Sequence, residues 1–505
     1  MEEDKAGRKS RGPGTAPLNA SSLARLIYPE YRFGKTDPEE AARLVQLGVG
    51  GFCFYGGTAD EVREASRSLK SLSRTPLLIA SDYENGAGQW VRGATELPTN
   101  MAIGASGSEA LARRKGEITA LEARALGVDW VLAPVVDLAS VPANPIVNVR
   151  AYGAEHGLVT RLAGAYISGL ASQGALSCLK HFPGHGATAT DSHLALPVLE
   201  KNLHGLEQDD LRPFAGLGRA DSVMAGHLVA RALDEAAPAS LSKAALTGLL
   251  REKLKYGGLV VTDALNMKAV SADPGAGVRA FQAGADALLC PEDPFALHEE
   301  LVRASNDGLL PGAAVALALG RQDLLARKLS PFRSQPQPSD ALRCPEHLAF
   351  AAEAAPACLA WAGENKSFAF AEGDILGYFE PLTRPADWKG TAFVEELNKM
   401  GARVEPYQPD CGMRLAAGIF SKPRAFSGSI NLSAEEKAAL EGALKGAGRS
   451  VVAAFGSPFV LGGLEHRPTA GLCAFCALED FQRAAARVLF GRVKAGGTMP
   501  VNIGS

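Results

Sequence analysis

The sequence predicts an α/β protein: a (β/α)8 TIM-type barrel followed by a smaller α/β sandwich domain. Three observations carry that reading. At 505 residues the chain is longer than one hydrophobic core usually organises. Through its first 300 residues or so, short apolar or β-branched runs alternate with Ala/Leu/Glu/Arg-rich segments of helical character, the pattern of a parallel sheet. Polar residues then follow those runs again and again, always at the C-terminal end.

Taken in order, the strand-like runs are GFCF from Gly51, LLIAS from Leu77, WVLAP from Trp130, ALSCL from Ala175, DSVMA from Asp221, LVVT from Leu259 and ADALLC from Ala285, with LARLIY from Leu23 as an eighth. In such a barrel the loops after the strands form the active-site face. Tyr55, Asp82 with Glu84, Asp137, Lys180 with His181, His227, Asp263, and Glu292 with Asp293 are therefore expected at one mouth. A chain that is merely surfacing explains any one of these polar groups, but not the aligned set.

The barrel is expected over residues 21–330, after a flexible tail at 1–20. The run SPFRSQPQPSDALRCP marks a linker at 331–345, because its prolines and polar residues suit neither helix nor central strand. In the remainder, 346–505, FAFAEGDILGYF, ARVEPY and SVVAAFGSPFVLGG alternate with the helical patterns LSAEEKAALEGALK and EDFQRAAARVLF, which reads as a smaller sheet flanked by helices. There is no internal repeat.

Composition narrows the function classes. A net charge of -3, from 52 basic and 55 acidic residues, gives no electrostatic footing for nucleic acid or an anionic membrane, so a neutral or weakly charged ligand is expected. The first 20 residues lack the apolar segment of a secretory signal, and no later run has the length of a membrane span. The eight cysteines are scattered rather than arranged as a disulfide framework, which favours a reducing cytoplasm. Cys473 and Cys476 form a lone CxxC without the further ligands of a zinc site.

Two segments carry chemistry. KHFPGHGATATDSHLALP, Lys180 to Pro197, leaves a strand and enters a loop with three His, two Gly and one Asp. Asp191 and His193 are two apart, so the carboxylate can orient the imidazole and stabilise its charged form, making a proton donor and acceptor near neutrality. A metal site from His181, His185, Asp191 and His193 competes, but Pro183, Gly184 and Gly186 break the helix that HxxxH ligation favours, and no metal or cofactor is expected. A phosphate loop is also weighed, and the Gly-Lys-Ser/Thr ending is missing. In GGLVVTDALNM an apolar strand delivers Asp263 to the mouth, where a carboxylate can attack a sugar's anomeric carbon and leave again. Asp263 fits equally well as the N-cap of a helix over ALNMKAV.

These segments resemble glycoside hydrolase family 3, and within it the bacterial β-N-acetylglucosaminidases. KHFPGHG followed by DSH is similar to that branch's hallmark, TDALNM to its nucleophile segment, and NPIVNVRAYG to its arginine-bearing element; GSPFVLG and VLFGRVKAGGTMPVNI resemble the family's second domain. The resemblance implies Asp263 as nucleophile, His193 as acid/base and Asp191 as its partner. It further implies that Asp82, Arg150, Lys180 and His181 bind sugar hydroxyls, and His227 and Met267 are placed with them. Paired carboxylates and cations suit vicinal hydroxyls, which both donate and accept. The alternative for Arg150 and Asp82 is a structural ion pair at the barrel rim.

The expected activity is hydrolysis of terminal β-linked N-acetylglucosamine from peptidoglycan fragments, through a covalent glycosyl-aspartate. SDYENGAG departs from the family's D-x-E-G-G and Arg150 precedes Ala-Tyr rather than Ser-Phe, which bears on the finer substrate preference. Three alternatives stay open. They are a phosphorylase using phosphate as acceptor, a β-glucosidase with an acid from the second domain (Glu396, Glu405 or Glu465), and a non-catalytic carbohydrate-binding protein. The sequence does not give the oligomeric state.

Overall fold

The computed structural model describes residues 19–188, 196–335, 339–363, 368–381, 389–409, 412–421, 430 and 432–504. Asn19 accepts the Ser21 N–H and caps the first helix, Ala20–Ala24, so residues 19 and 20, assigned to the tail, belong to this helix and its cap.

Parallel strands then follow one another around a ring. Ile27–Tyr28 and Glu30–Arg32 lie beside Gly51–Tyr55, which pairs with Leu78–Ser81, and that with Trp130–Val131. Isolated bridges at Trp130–Leu176 and Val135–Lys180 lead to Cys178–Phe182, which pairs with Ser222–Ala225 and that with Leu259–Thr262. A bridge from Val261 to Ala287 reaches Leu288–Leu289, and this pairs with Ile27–Tyr28. Alternation along each strand separates two cores. Cys53, Tyr55, Leu78, Ala80, Trp130, Met224, Val261 and Leu289 fill the inside of the ring, whereas Phe52, Phe54, Ile79, Val131, Val223 and Val260 face the helices outside. Such strands are buried on both faces, which is why they read as continuous apolar runs.

The helix Gly312–Arg333 lies across the end where the strands begin, and contributes Leu325 and Leu329 to the inner core. It extends past residue 330, so SPFR is its last turn rather than the start of an irregular linker. Pro331 lies in that last turn, where Arg124 stacks on Phe332 at 5.3 Å to the ring centroid and donates at 2.7 Å to the Phe332 carbonyl, one of those that a helix end leaves without an internal partner.

The later part of the chain forms a six-stranded sheet in the order Ala360–Ala362, Ala470–Cys473, Arg449–Gly456, Arg414–Ser421, Ile375–Phe379, Arg403–Pro406. Its pairings are parallel except the first. Arg414–Ser421, Ala360–Ala362 and Ala470–Cys473 are strands that the sequence pattern did not reveal. The sheet meets the ring beside the Arg150 loop, where Asn148 Nδ2 donates to Ser457 Oγ at 3.0 Å. Among the described residues no helix is long and apolar enough to cross a membrane.

Candidate active site

Where the ring strands end, they enclose a cavity of about 490 Å³. Its wall includes Tyr55, Asp82, Arg150, Lys180, His181, Asp263, Met267 and Glu292, so residues from five strand ends and two loops converge as the pattern anticipated. Glu30, Arg32, Trp90, His185 and Asn266 also line it.

The polar wall is one ionic network. Lys180, 2% exposed, places Nζ 2.6 Å from Asp82 Oδ1 and 2.7 Å from Glu84 Oε1. Arg150 forks onto both Glu84 oxygens at 2.9 and 2.8 Å. Burial alone would raise the Glu84 pKa, but the Arg150 guanidinium and Lys180 ammonium outweigh it and hold the carboxyl well below its usual range. Burial likewise works against the Lys180 charge, while Asp82 and Glu84 carry its pKa above the usual value. Tyr55 donates to Asp82 Oδ2 at 2.9 Å, and Trp90 donates to the Asp82 carbonyl at 3.1 Å. The structural partner of Arg150 is thus Glu84, two residues beyond the Asp82 that the sequence offered. Two residues on, an extended chain points to the same side, so this is a signal that could have been read.

His181 stands on Asp137, with Nδ1 2.7 Å from Oδ2, and its Nε2 faces Arg150 Nη2 at 3.5 Å. Asp137 also accepts the backbone N–H of His181 and His185, so it holds the loop as well as the ring. Asn144 ties the Arg150 loop to the same turn, donating to His185 O at 2.9 Å and accepting from Ile146 and Val147 N–H. Lys115, fully buried, donates to Asn100 Oδ1 at 2.6 Å, and Asn100 in turn donates to the Arg150 carbonyl.

Asp263 follows Leu259–Thr262, and its Oδ1 accepts the Ala264 N–H at 2.8 Å. The segment ALNMKAV after it is a series of turns, and the next helix is Ala276–Ala283, so the helix-cap reading of Asp263 fails. Glu292 lines the cavity, whereas Asp293 caps Pro294–Asn306.

His227 is corrected. It was expected to contact sugar, but its ring is 0% exposed and both nitrogens are engaged: Nδ1 lies 2.7 Å from Ser240 Oγ and Nε2 3.0 Å from the Ala264 carbonyl. A carbonyl only accepts, so Nε2 carries the proton, and burial lowers the pKa and keeps the ring neutral. The side chain holds the residue after Asp263 rather than a ligand. Asp191 and His193 lie outside the described residues. Among the described residues, no cluster of three His, Cys, Asp or Glu is placed to hold a metal ion.

The profile of the glycosyl hydrolase family 3 N terminal domain matches residues 21–322. A β-N-acetylglucosaminidase/β-glucosidase of Cellulomonas fimi is 32% identical over 347 residues, 63% of this chain and 60% of that protein. β-Hexosaminidase A of Pseudoalteromonas piscicida is 36% identical over 287 residues, 51% of this chain and 48% of its own length. The chain therefore spans about half to three fifths of these two relatives. A solved glycoside hydrolase family 3 β-N-acetylglucosaminidase from Paenibacillus sp. str. FPU-7 superposes with a TM-score of 0.85 at 26% identity, covering 97% of this chain and 99% of that one.

Proposed function

The chain belongs to glycosyl hydrolase family 3, and from that premise we propose that it is a retaining exo-glycosidase for terminal β-linked N-acetylglucosamine. The strand ring is read as the (β/α)8 catalytic barrel and the six-stranded unit as the sandwich domain, joined after the helix Gly312–Arg333. One observation carries the reading: the Asp263 carboxylate sits at a strand end on a cavity whose polar wall is Asp82, Arg150, Lys180 and His181. Such a wall can fork to neighbouring hydroxyls of one sugar ring while the carboxylate faces its anomeric carbon.

In the proposed double displacement, His193, oriented by Asp191, protonates the leaving oxygen as Asp263 attacks. His193 then takes a proton from the water that releases the sugar. None of Glu396, Glu405 and Glu465 lines the cavity, and Glu396 is committed to Arg487 at 2.7 Å, which supports an acid on the 180–193 loop. The lining cations Arg32, Arg150 and Lys180 each already meet a carboxylate, which supports water rather than phosphate as acceptor. The relatives named above support the acetamido sugar as substrate. Peptidoglycan fragments in the cytoplasm are the proposed source, and the seven described cysteines, all free thiols, fit a reducing compartment.

Initial rates on aryl N-acetylglucosaminide, glucoside and xyloside, each with and without phosphate, test the proposal. The acetamido sugar should react fastest, with free sugar as product in both buffers. Asp263→Asn should lower kcat/KM by at least about 10⁴-fold. Sugar 1-phosphate as the main product, or an Asp263→Asn variant close to wild type, overturns it.

A further inference from the structure

His185 lies in the turn after Cys178–Phe182 and lines the cavity together with His181 and Asp263. It is 1% exposed, and its Nε2 has no hydrogen-bond partner among the described residues. Buried polar atoms rarely stand alone, because an unmet acceptor disfavours the state that contains it. The proton positions can be worked out from the other side of the ring. Nδ1 lies 2.7 Å from Thr188 Oγ1, and that hydroxyl lies 3.0 Å from the His185 carbonyl. A hydroxyl has one proton, so both contacts are hydrogen bonds only if Thr188 donates to the carbonyl and Nδ1–H donates to Thr188. Nε2 is then a bare lone pair. Burial lowers the pKa of this ring to about 4 despite the nearby Asp137, so the lone pair persists at neutral pH.

The chemistry of the ligand follows from the neighbours. With Asp263 against the anomeric carbon, only two ring atoms adjoin the reacting centre: the ring oxygen, which carries no proton, and C2, which carries a hydroxyl or an amide. We propose that His185 is a specificity-determining residue, whose Nε2 accepts a hydrogen bond from the donor on C2 of the sugar bound at Asp263. Interactions at the 2-position strengthen in the oxocarbenium-like transition state, so the contact is felt in kcat/KM. This inference rests on the glycosidase reading above. It goes further by assigning a residue that neither the resemblance nor the spacing singled out for the sugar.

The test pairs variants with four aryl glycosides bearing 2-acetamido, 2-hydroxy, 2-deoxy or 2-fluoro groups, of which only the first two donate. His185→Leu should lower kcat/KM about 10- to 100-fold on the two donor sugars. On the 2-deoxy and 2-fluoro sugars, the wild-type to variant ratio should stay within about threefold, because the intrinsic reactivity of each substrate cancels in that ratio. His185→Gln, whose amide oxygen can reach where Nε2 was, should recover most of the loss. An equal loss on all four substrates overturns the inference and makes His185 a scaffold for its loop, and so does the absence of any loss. If the leucine variant fails to fold, inhibition of the wild type decides: N-acetylglucosamine must bind at least about tenfold more tightly than 2-deoxyglucose, and equal inhibition overturns the inference. Should the wild type turn over none of the four glycosides, the glycosidase reading falls and takes this inference with it. Turnover without donor selectivity sinks the inference alone.

Discussion

At the end of the ring where strands begin, Asp129, Asp221 and Asp286 each accept a backbone N–H from an adjoining strand: Ile79 at 3.0 Å, Ser177 at 2.9 Å and Val260 at 2.8 Å. Each also meets a cation on the helix Gly312–Arg333, namely Arg333, Lys328 and Arg321. At the opposite end, Asp82 and Glu84 meet Lys180 and Arg150 at comparable distances, yet the hydrogen bonds they accept there come from side chains. The residue types are the same and the partners differ. A carboxylate that holds main-chain N–H groups is part of the scaffold, and nothing can replace those bonds without unpairing a strand. A network made between side chains on a cavity wall can be joined or rearranged by a ligand's hydroxyls.

The largest expected effect breaks the mouth. Glu84→Gln removes the anion that the buried Lys180 and the partly buried Arg150 share and puts an amide N–H donor toward them. We expect a loss of about 3–5 kcal/mol in denaturant unfolding and at least about a 100-fold fall in kcat/KM as Arg150 and Lys180 lose their placement. Retained activity in a stable variant would show that the network does not position the ligand.

Asp286→Ala is the matching change at the closed end. Asp286 holds Val260 N–H, Arg251 at 2.5 Å and Arg321 at 2.7 Å. Its removal should cost about 3–5 kcal/mol while kcat/KM of the folded protein stays within about twofold. If activity falls as far as it does in Glu84→Gln, the contrast between the two ends fails.

A pH titration sharpens the comparison at the mouth. The His185 pKa in the folded chain, about 4, lies below its ordinary value of 6.5. As pH falls from about 6.5 to 4, the unfolded chain takes up a proton that the folded chain refuses. Stability should therefore decline through that window by up to roughly 3 kcal/mol. His227, also lowered by burial, adds to the same decline. His185→Leu should flatten the curve between pH 6.5 and 4, and an unchanged slope would show that the ring is not buried neutral.

The contrast also explains what the sequence could tell. Tyr55, Asp82, Lys180 and Asp263 were legible because each ends an apolar run, and a closed ring turns all such ends one way. The anions of the closed end had no such mark, since their cations lie as far away in sequence as Arg333 from Asp129. His227 looked like a mouth residue by position, but its use was decided by Ser240 and the Ala264 carbonyl, which no local spacing records. The strand Arg414–Ser421 was missed because RLAAGIFS, rich in Ala and Gly, lacks the β-branched signal; its burial in the middle of the sheet makes it a strand. The wall partners Glu84 and His185 stood inside motifs that were recognised, but only tertiary contacts showed which of their atoms were taken and which were open.

The smallest effect belongs to the cation side of the closed end. Lys328 Nζ lies 2.5 Å from Asp221 Oδ1, but its side chain is 50% exposed. Water screens that pair and a flexible lysine loses entropy in forming it, so Lys328→Met should change stability by less than about 1 kcal/mol. Asp221 keeps both Ser177 bonds, at 2.9 Å from the N–H and 2.9 Å from Oγ, and so is not stranded when the ammonium goes. Asp221→Ala, in contrast, leaves the Ser177 N–H without its acceptor, and should cost about 1–3 kcal/mol. A denaturant midpoint for each variant, and for the pair together, separates the contributions. If Lys328→Met proves as costly as Asp221→Ala, the helix cations rather than the main-chain bonds hold the closed end. The distinction between scaffold carboxylates and ligand-facing carboxylates would then rest on exposure alone.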